Sequence, residues 1–240
     1  MIPCVGFLTF NNPHLGVRLL QSLDAEIDHL VIINNGPYSH ECWKEGAKGK
    51  AKKVSVHTQD NSGVAAGWNM IIKDAPGAAY WMILNDDVVL GEGDLEKLDK
   101  ECKKADPEVS IYMPEHVCLG MMGLMRNTIK KVGLFDENYY PAYLEDCDFN
   151  RRTALSGLRH QQLKGFKCIH EGSASNNKDP IFAKLCGVAC IDALRPYHVK
   201  KWGGEGGKET FFTPYDGKKE VRFDLDMRSK ILKIKEEVGL

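Results

Sequence analysis

An α/β fold built on a central, mostly parallel twisted sheet with helices on both faces is what this sequence predicts, and three observations carry that expectation. Short apolar, β-branched runs alternate with longer stretches of helical periodicity. The run at residues 80–84 is continuously apolar and that at 29–33 nearly so, as strands covered on both faces are. Polar clusters follow three of them, where open α/β sheets bind ligands beyond the carboxyl ends of their strands.

The first strand is expected over residues 5–10 and stops at Asn11-Asn12-Pro13; Leu15, Leu19, Leu20 and Leu23 then recur at helical spacing. Residues 29–33 (His-Leu-Val-Ile-Ile) form a second strand, closed by the turn signal Asn34-Asn35-Gly36-Pro37. Residues 54–58 alternate as a third. Asn61-Ser62-Gly63 then opens a helix over 64–73, with Asn or Ser as its cap and Trp68, Ile71 and Ile72 on its apolar side. Residues 80–84 (Tyr-Trp-Met-Ile-Leu) make a fourth, continuous apolar strand that runs into Asn85-Asp86-Asp87, and 94–104 is an amphipathic surface helix.

Past residue 105 the rhythm changes. Residues 117–125 are small and Met-rich, and an aromatic stretch leads to Glu145-Asp146-Cys147-Asp148. A helix beginning at those acids ends by Gly157, and a short strand ends in His170. Residues 181–194 and 227–238 read as two more helices, separated by a Gly-rich segment.

The 240 residues suit one large domain, and 43% hydrophobic with 27% charged is the composition of a chain with a sizeable core. Thirty-two Lys+Arg against 33 Asp+Glu give no basic excess for nucleic acid. No apolar run reaches the roughly 18 residues of a membrane span. The opening residues carry no secretory signal, and the eight cysteines are scattered without zinc spacing. Reduced thiols in a cytoplasmic setting are therefore the expectation.

Four features offer chemistry. Asp86 and Asp87, at a strand end, present hard oxygen ligands suited to Mg²⁺ or Mn²⁺, or else close an ordinary turn. Glu145 and Asp146, at a helix start, are carboxylates that the free N–H groups and dipole keep ionised, ready to accept a proton from a sugar hydroxyl, or else plain capping acids. Tyr139, Tyr140 and Tyr143 just before them form a sugar platform or core. His170 completes a metal site, contacts a diphosphate, or is structural. Lys201 and Trp202 in the glycine-rich 200–208 stretch read as a flap, lysine meeting phosphate and indole covering a sugar, or as a surface loop; the stretch lacks the P-loop pattern.

Taken in order, residues 4–175 resemble family 2 glycosyltransferases of the A-type fold, the rhamnosyltransferase-like members above all. The opening strand with Thr9 and Asn11 matches, and so does Asn34-Asn35-Gly36-Pro37, with Asn34 where a nucleotide-contacting acid often stands. Asn61-Ser62-Gly63-Val64-Ala65-Ala66-Gly67-Trp68-Asn69 matches the family's N-x-G-x-a-x-G-x-N helix start. Asn85-Asp86-Asp87 matches its acidic metal motif, Gly133-Leu134-Phe135-Asp136-Glu137 with Glu145-Asp146-Cys147-Asp148 its acceptor region, and His170-Glu171-Gly172-Ser173 its late histidine.

The resemblance implies a metal-dependent inverting enzyme that moves a sugar from a UDP or dTDP donor to a glycan hydroxyl. Asp146 is then the base with Glu145 beside it. Asp87 and His170 hold Mn²⁺ or Mg²⁺. Thr9, Asn11, Asn34, Asn61, Gly63, Asn69 and Asp86 line the donor, and Lys201 and Trp202 of the 200–208 flap are expected to join them. It divides the chain into a catalytic domain over 1–178 (donor half 1–105, acceptor half 106–178) and an extension over 179–240 packed on it. The competing readings are a sugar nucleotidyltransferase, whose Gly-rich, Arg-containing first loop is absent here, and a non-catalytic carbohydrate- or nucleotide-sugar-binding module.

Overall fold

The uninterrupted apolar runs become the middle of a seven-stranded sheet in the computed structural model, which describes residues 1–172 and 180–218 together with Ser229, Lys233 and Glu236. The strands are β1 (Ile2–Thr9), β2 (Ile27–Asn34), β3 (Ala51–Thr58), β4 (Tyr80–Asn85), β5 (Val88–Val89), β6 (Val109–Pro114), β7 (Met121–Met125), β8 (Arg159–Leu163) and β9 (Ile169–His170). The large sheet runs β3-β2-β1-β4-β7-β6-β8, and β5 pairs with β9 in a small second sheet. Neighbours are parallel except at β7, which is antiparallel to both β4 and β6.

Helices α1 (Pro13–Ser22), α2 (His40–Gly46), α3 (Val64–Asp74), α4 (Asp94–Cys102), α5 (Arg126–Val132) and α6 (Glu145–Leu155) cover the sheet. Successive strand residues point to opposite faces, so each inner strand feeds two cores. Val5, Phe7, Leu30, Ile32, Met82 and Leu84 pack with α1 and α4. Cys4, Val31, Ile33, Trp81 and Ile83 pack with Trp68, Ile71 and Ile72 of α3 and with Phe135 and Phe149.

A third cluster joins Tyr139 to the chain beyond 179, where α7 (Pro180–Ala189) passes through a π-helical turn at Cys190–Leu194 into α8 (Arg195–Trp202). The helix expected to stop at 194 thus continues for another two turns. The expected terminal helix over 227–238 lies almost wholly outside the described residues. Two further expectations change. The cap of α3 is Gly63, with no side-chain cap bond, because Asn61 bonds to Gly63 N instead. The Met-rich segment contains a full strand, β7, inserted antiparallel between β4 and β6.

Candidate active site

A cavity of about 330 Å³ opens between the carboxyl ends of β1 and β4 and the first turns of α3 and α6. Backbone chemistry at Gly63 brings the two sides together. Its φ of +86° is a left-handed value that favours glycine, and a Cβ there would lie 2.9 Å from both the Pro141 carbonyl oxygen and the Tyr140 ring. The next residue seals the approach, Val64 N donating to Pro141 O at 2.9 Å. One turn on, Asn69 braces α3 to the following segment. Its Nδ2 donates to Phe135 O at 2.9 Å and to Glu137 Oε1 at 2.8 Å, and its Oδ1 accepts from Phe135 N at 2.9 Å. The chain from 135 to 144 is thereby held across the sheet, and α6 starts facing the end of β4.

Four carboxyls and one imidazole line this space: Asp86, Asp87, Glu145, Asp146 and His170. Asp87 comes from the turn after β4 and His170 from β9, and the pairing of β5 with β9 sets Val88 opposite His170. His170 Nε2 lies 3.1 Å from Asp87 Oδ1. Contact with that carboxylate raises the His170 pKa, against burial, which lowers it. Gly120 makes room for the imidazole, since a Cβ there would lie 2.8 Å from the ring.

Asp86 is buried, and burial pushes its pKa up to about 7; the Thr9 hydroxyl opposes the shift and the Asp87 charge adds to it. Glu145 is buried too, with its pKa pushed up to about 8 by burial first and the Asp146 charge second. Burial thus works against the ionisation expected of a carboxylate at a helix start. Asp146 is half-buried, and its Oδ1 accepts from Cys147 N at 2.8 Å.

The donor set suits a hard divalent ion through a carboxylate and an imidazole, with Asp86 Oδ2 and His170 Nε2 both buried and lacking an aligned hydrogen-bond partner. Among the described residues no group of three or more His, Cys, Asp or Glu side chains is disposed to hold a metal unaided. Such a site would need oxygen ligands from its substrate, as Mg²⁺ and Mn²⁺ sites often do.

Of the residues expected to bind the donor, Asn61, Gly63 and Asp86 line the cavity and the others do not. Thr9 is buried beside Asp86. Asn11, with φ 54°, accepts at its carbonyl from the Tyr38 hydroxyl, and Asn34 is buried with its Nδ2 donating to Tyr38 O at 2.8 Å. Asn69 is consumed by its brace.

Lys201 and Trp202 depart furthest from expectation. They end α8, both buried, and form no flap. Lys201 Nζ sits 2.7 Å from Asp136 Oδ2, and Trp202 Nε1 donates to Asp148 Oδ1 at 2.9 Å. Two carboxylates in the acceptor-region motif attract the lysine, and neither lies on the cavity wall.

Conversely, the cavity gains Phe10, whose ring meets that of Phe182 at 4.6 Å, and Trp68, while Pro141 and Tyr143 of the expected sugar platform line it too. Phe182 belongs to α7, in a segment where the sequence shows only apolar periodicity, so nothing local announces it.

No known family profile matches the chain. A galactofuranosyl glycosyltransferase of Leishmania donovani is 38% identical over 80 residues, spanning 32% of this chain and 18% of that protein. TarS of S. aureus superimposes with a TM-score of 0.56 at 15% identity, over 69% of this chain and 36% of that one. The mannosyltransferase PcManGT of Pyrobaculum calidifontis, solved with GDP-Man and Mn²⁺, superimposes at 0.57 and 14% identity, over 78% and 63%. This chain spans less than two thirds of each. The two solved structures share the A-type glycosyltransferase fold, and this chain has it. No helix among the described residues is long and apolar enough to cross a membrane.

Proposed function

We propose that the chain is a metal-dependent inverting glycosyltransferase, moving a hexose or rhamnose from a UDP or dTDP donor to a hydroxyl of a carbohydrate acceptor. The observation that carries the reading is that Asp87 and Asp146, remote in sequence, line one cavity. The likeness of fold to nucleotide-sugar transferases and the local identity to a galactofuranosyltransferase support it.

Asp87 and His170 would hold the divalent ion, which when bound supplies Lewis-acid stabilisation of the leaving diphosphate. Asp146 accepts the proton of the acceptor hydroxyl as its oxygen attacks the anomeric carbon. The bond from that carbon to the diphosphate oxygen breaks in the same displacement. With no covalent enzyme intermediate, the anomeric centre inverts. Phe10, Trp68 and Tyr143 exclude water and offer apolar faces to a sugar ring. The cysteines, scattered without zinc spacing, support a cytoplasmic setting.

The test is a panel of UDP-GlcNAc, UDP-glucose, UDP-galactofuranose, GDP-mannose and dTDP-rhamnose, each with Mn²⁺. A donor at 100 times its Kd should stabilise the fold by about 2.7 kcal/mol, read as a raised melting temperature. Release of nucleoside diphosphate should accompany it. A panel with neither effect would refute the reading.

A further inference from the structure

Glu145 differs from Asp87, the buried acid of the cavity that has His170 beside it. Glu145 has no ion pair with any Lys, Arg or His among the described residues, although it is only 6% exposed. Its Oε2 is enclosed without a hydrogen-bond partner, on the wall of the cavity. The neighbouring charge is Asp146, of the same sign, and across the cavity stand Asp86, Asp87 and His170. An ionised carboxylate in that position would be dehydrated, repelled, and compensated only in part by backbone amides. One proton relieves these penalties.

We propose that Glu145 serves as a neutral carboxylic acid whose O–H donates a hydrogen bond to a hydroxyl oxygen of the donor's sugar, leaving Asp146 as the ionised base. The ligand's identity rests on the transferase reading; the protonation of Glu145 does not. Adjacent carboxyls with divergent environments commonly divide the acid and base roles in this way. Geometry makes the division here. Glu145 is enclosed at the start of α6, and the half-buried Asp146 keeps an amide donor, Cys147 N. Burial also raises the Glu145 pKa to about 8, backbone amides opposing it only in part. Such a donor confers specificity, because an analogue lacking the hydroxyl leaves a buried polar group unpaired.

The experiment compares wild type, Glu145→Ala and Glu145→Gln with whichever nucleotide sugar of the panel gives the fastest Mn²⁺-dependent diphosphate release. Glu145→Ala should lose about tenfold or more, the scale of one buried hydrogen bond with its unpaired partner. Glu145→Gln, which keeps a neutral donor, should recover most of that loss. Wild-type turnover should fall as pH rises through about 8, a fall missing from the Gln variant. A Gln variant as impaired as Ala overturns the proposal.

Stability provides a readout independent of turnover. A raised folded pKa means stability present below the unfolded value of 4.5 and lost as pH rises towards 8. The melting temperature of Glu145→Gln should therefore climb relative to wild type across that interval, and a flat difference overturns the proposal. A rising difference in a protein that turns over no donor would sink the transferase reading while leaving the neutral acid in place.

Discussion

Lys201 and Asp148 form a buried ion pair between α8 and α6, tying the chain beyond 179 to the helix whose first turn carries Glu145 and Asp146. Asp136 shares the same ammonium, while Arg152 Nε holds the other oxygen of Asp148 at 2.8 Å. Tyr139 and His198 add a hydrogen bond of 2.9 Å between the same two regions.

Removing the lysine leaves the buried Asp148 and the half-buried Asp136 short of a cation. Lys201→Met should cost about 3 kcal/mol, the lower end for breaking a buried pair, since Arg152 and Trp202 still serve Asp148. Urea denaturation at pH 7 measures this, and a loss below about 1 kcal/mol would contradict it.

The same pair has a pH signature. Burial raises the Asp136 pKa, but the Lys201 charge and hydrogen bonds to Lys201 and Tyr197 more than reverse this, leaving it below 3.8. A depressed acid contributes stability above its unfolded pKa that is lost as pH falls through the folded one. The gap between wild type and Lys201→Met should accordingly narrow from pH 5 downwards. A gap of constant size would show that Asp136 gains nothing from the lysine.

Asp146→Asn keeps the size of the side chain and the amide contact at its first oxygen while removing the base. It should fold with a near-native melting temperature and lose transfer by about 10²–10⁴-fold. Turnover close to wild type would exclude Asp146 as proton acceptor.

Asp87→Ala should weaken Mn²⁺-dependent donor binding by at least about tenfold, a ligand mattering no less than its supporting shell. Titration calorimetry with and without Mn²⁺ reads this directly. Equal affinities in both would remove Asp87 from the metal site.

Gly63→Ala combines a disfavoured φ with a Cβ pressed on the Pro141 carbonyl. It should destabilise the fold by more than about 1 kcal/mol and reduce donor binding with it, because Pro141 would have to withdraw from α3. A variant with wild-type stability and binding would show that the approach of 141 to α3 has slack.

How much of this was legible follows from where the side chains point. Residues 29–33 and 80–84 could be read as strands because both faces are buried and every position but His29 is apolar. Strand β8, Arg-His-Gln-Gln-Leu at the sheet edge, could not, since its polar side chains meet the solvent. Asn61, Gly63, Asp86, Asp87, Glu145, Asp146 and His170 were recognisable as polar residues at element ends. Lys201 and Trp202 were misread because a Gly-rich neighbourhood suggests mobility, whereas Asp136 and Asp148 hold them inside.

By itself the sequence determined the strand–helix alternation, the acids at two element ends and the glycine that allows α3 to meet Pro141, all of them local matters of periodicity and backbone freedom. Tertiary structure alone decided that β7 runs antiparallel, that Phe182 reaches the cavity and that Glu145 is enclosed without a counter-ion among the described residues. Those outcomes depend on which distant surfaces exclude water from one another, and no short stretch of residues encodes that.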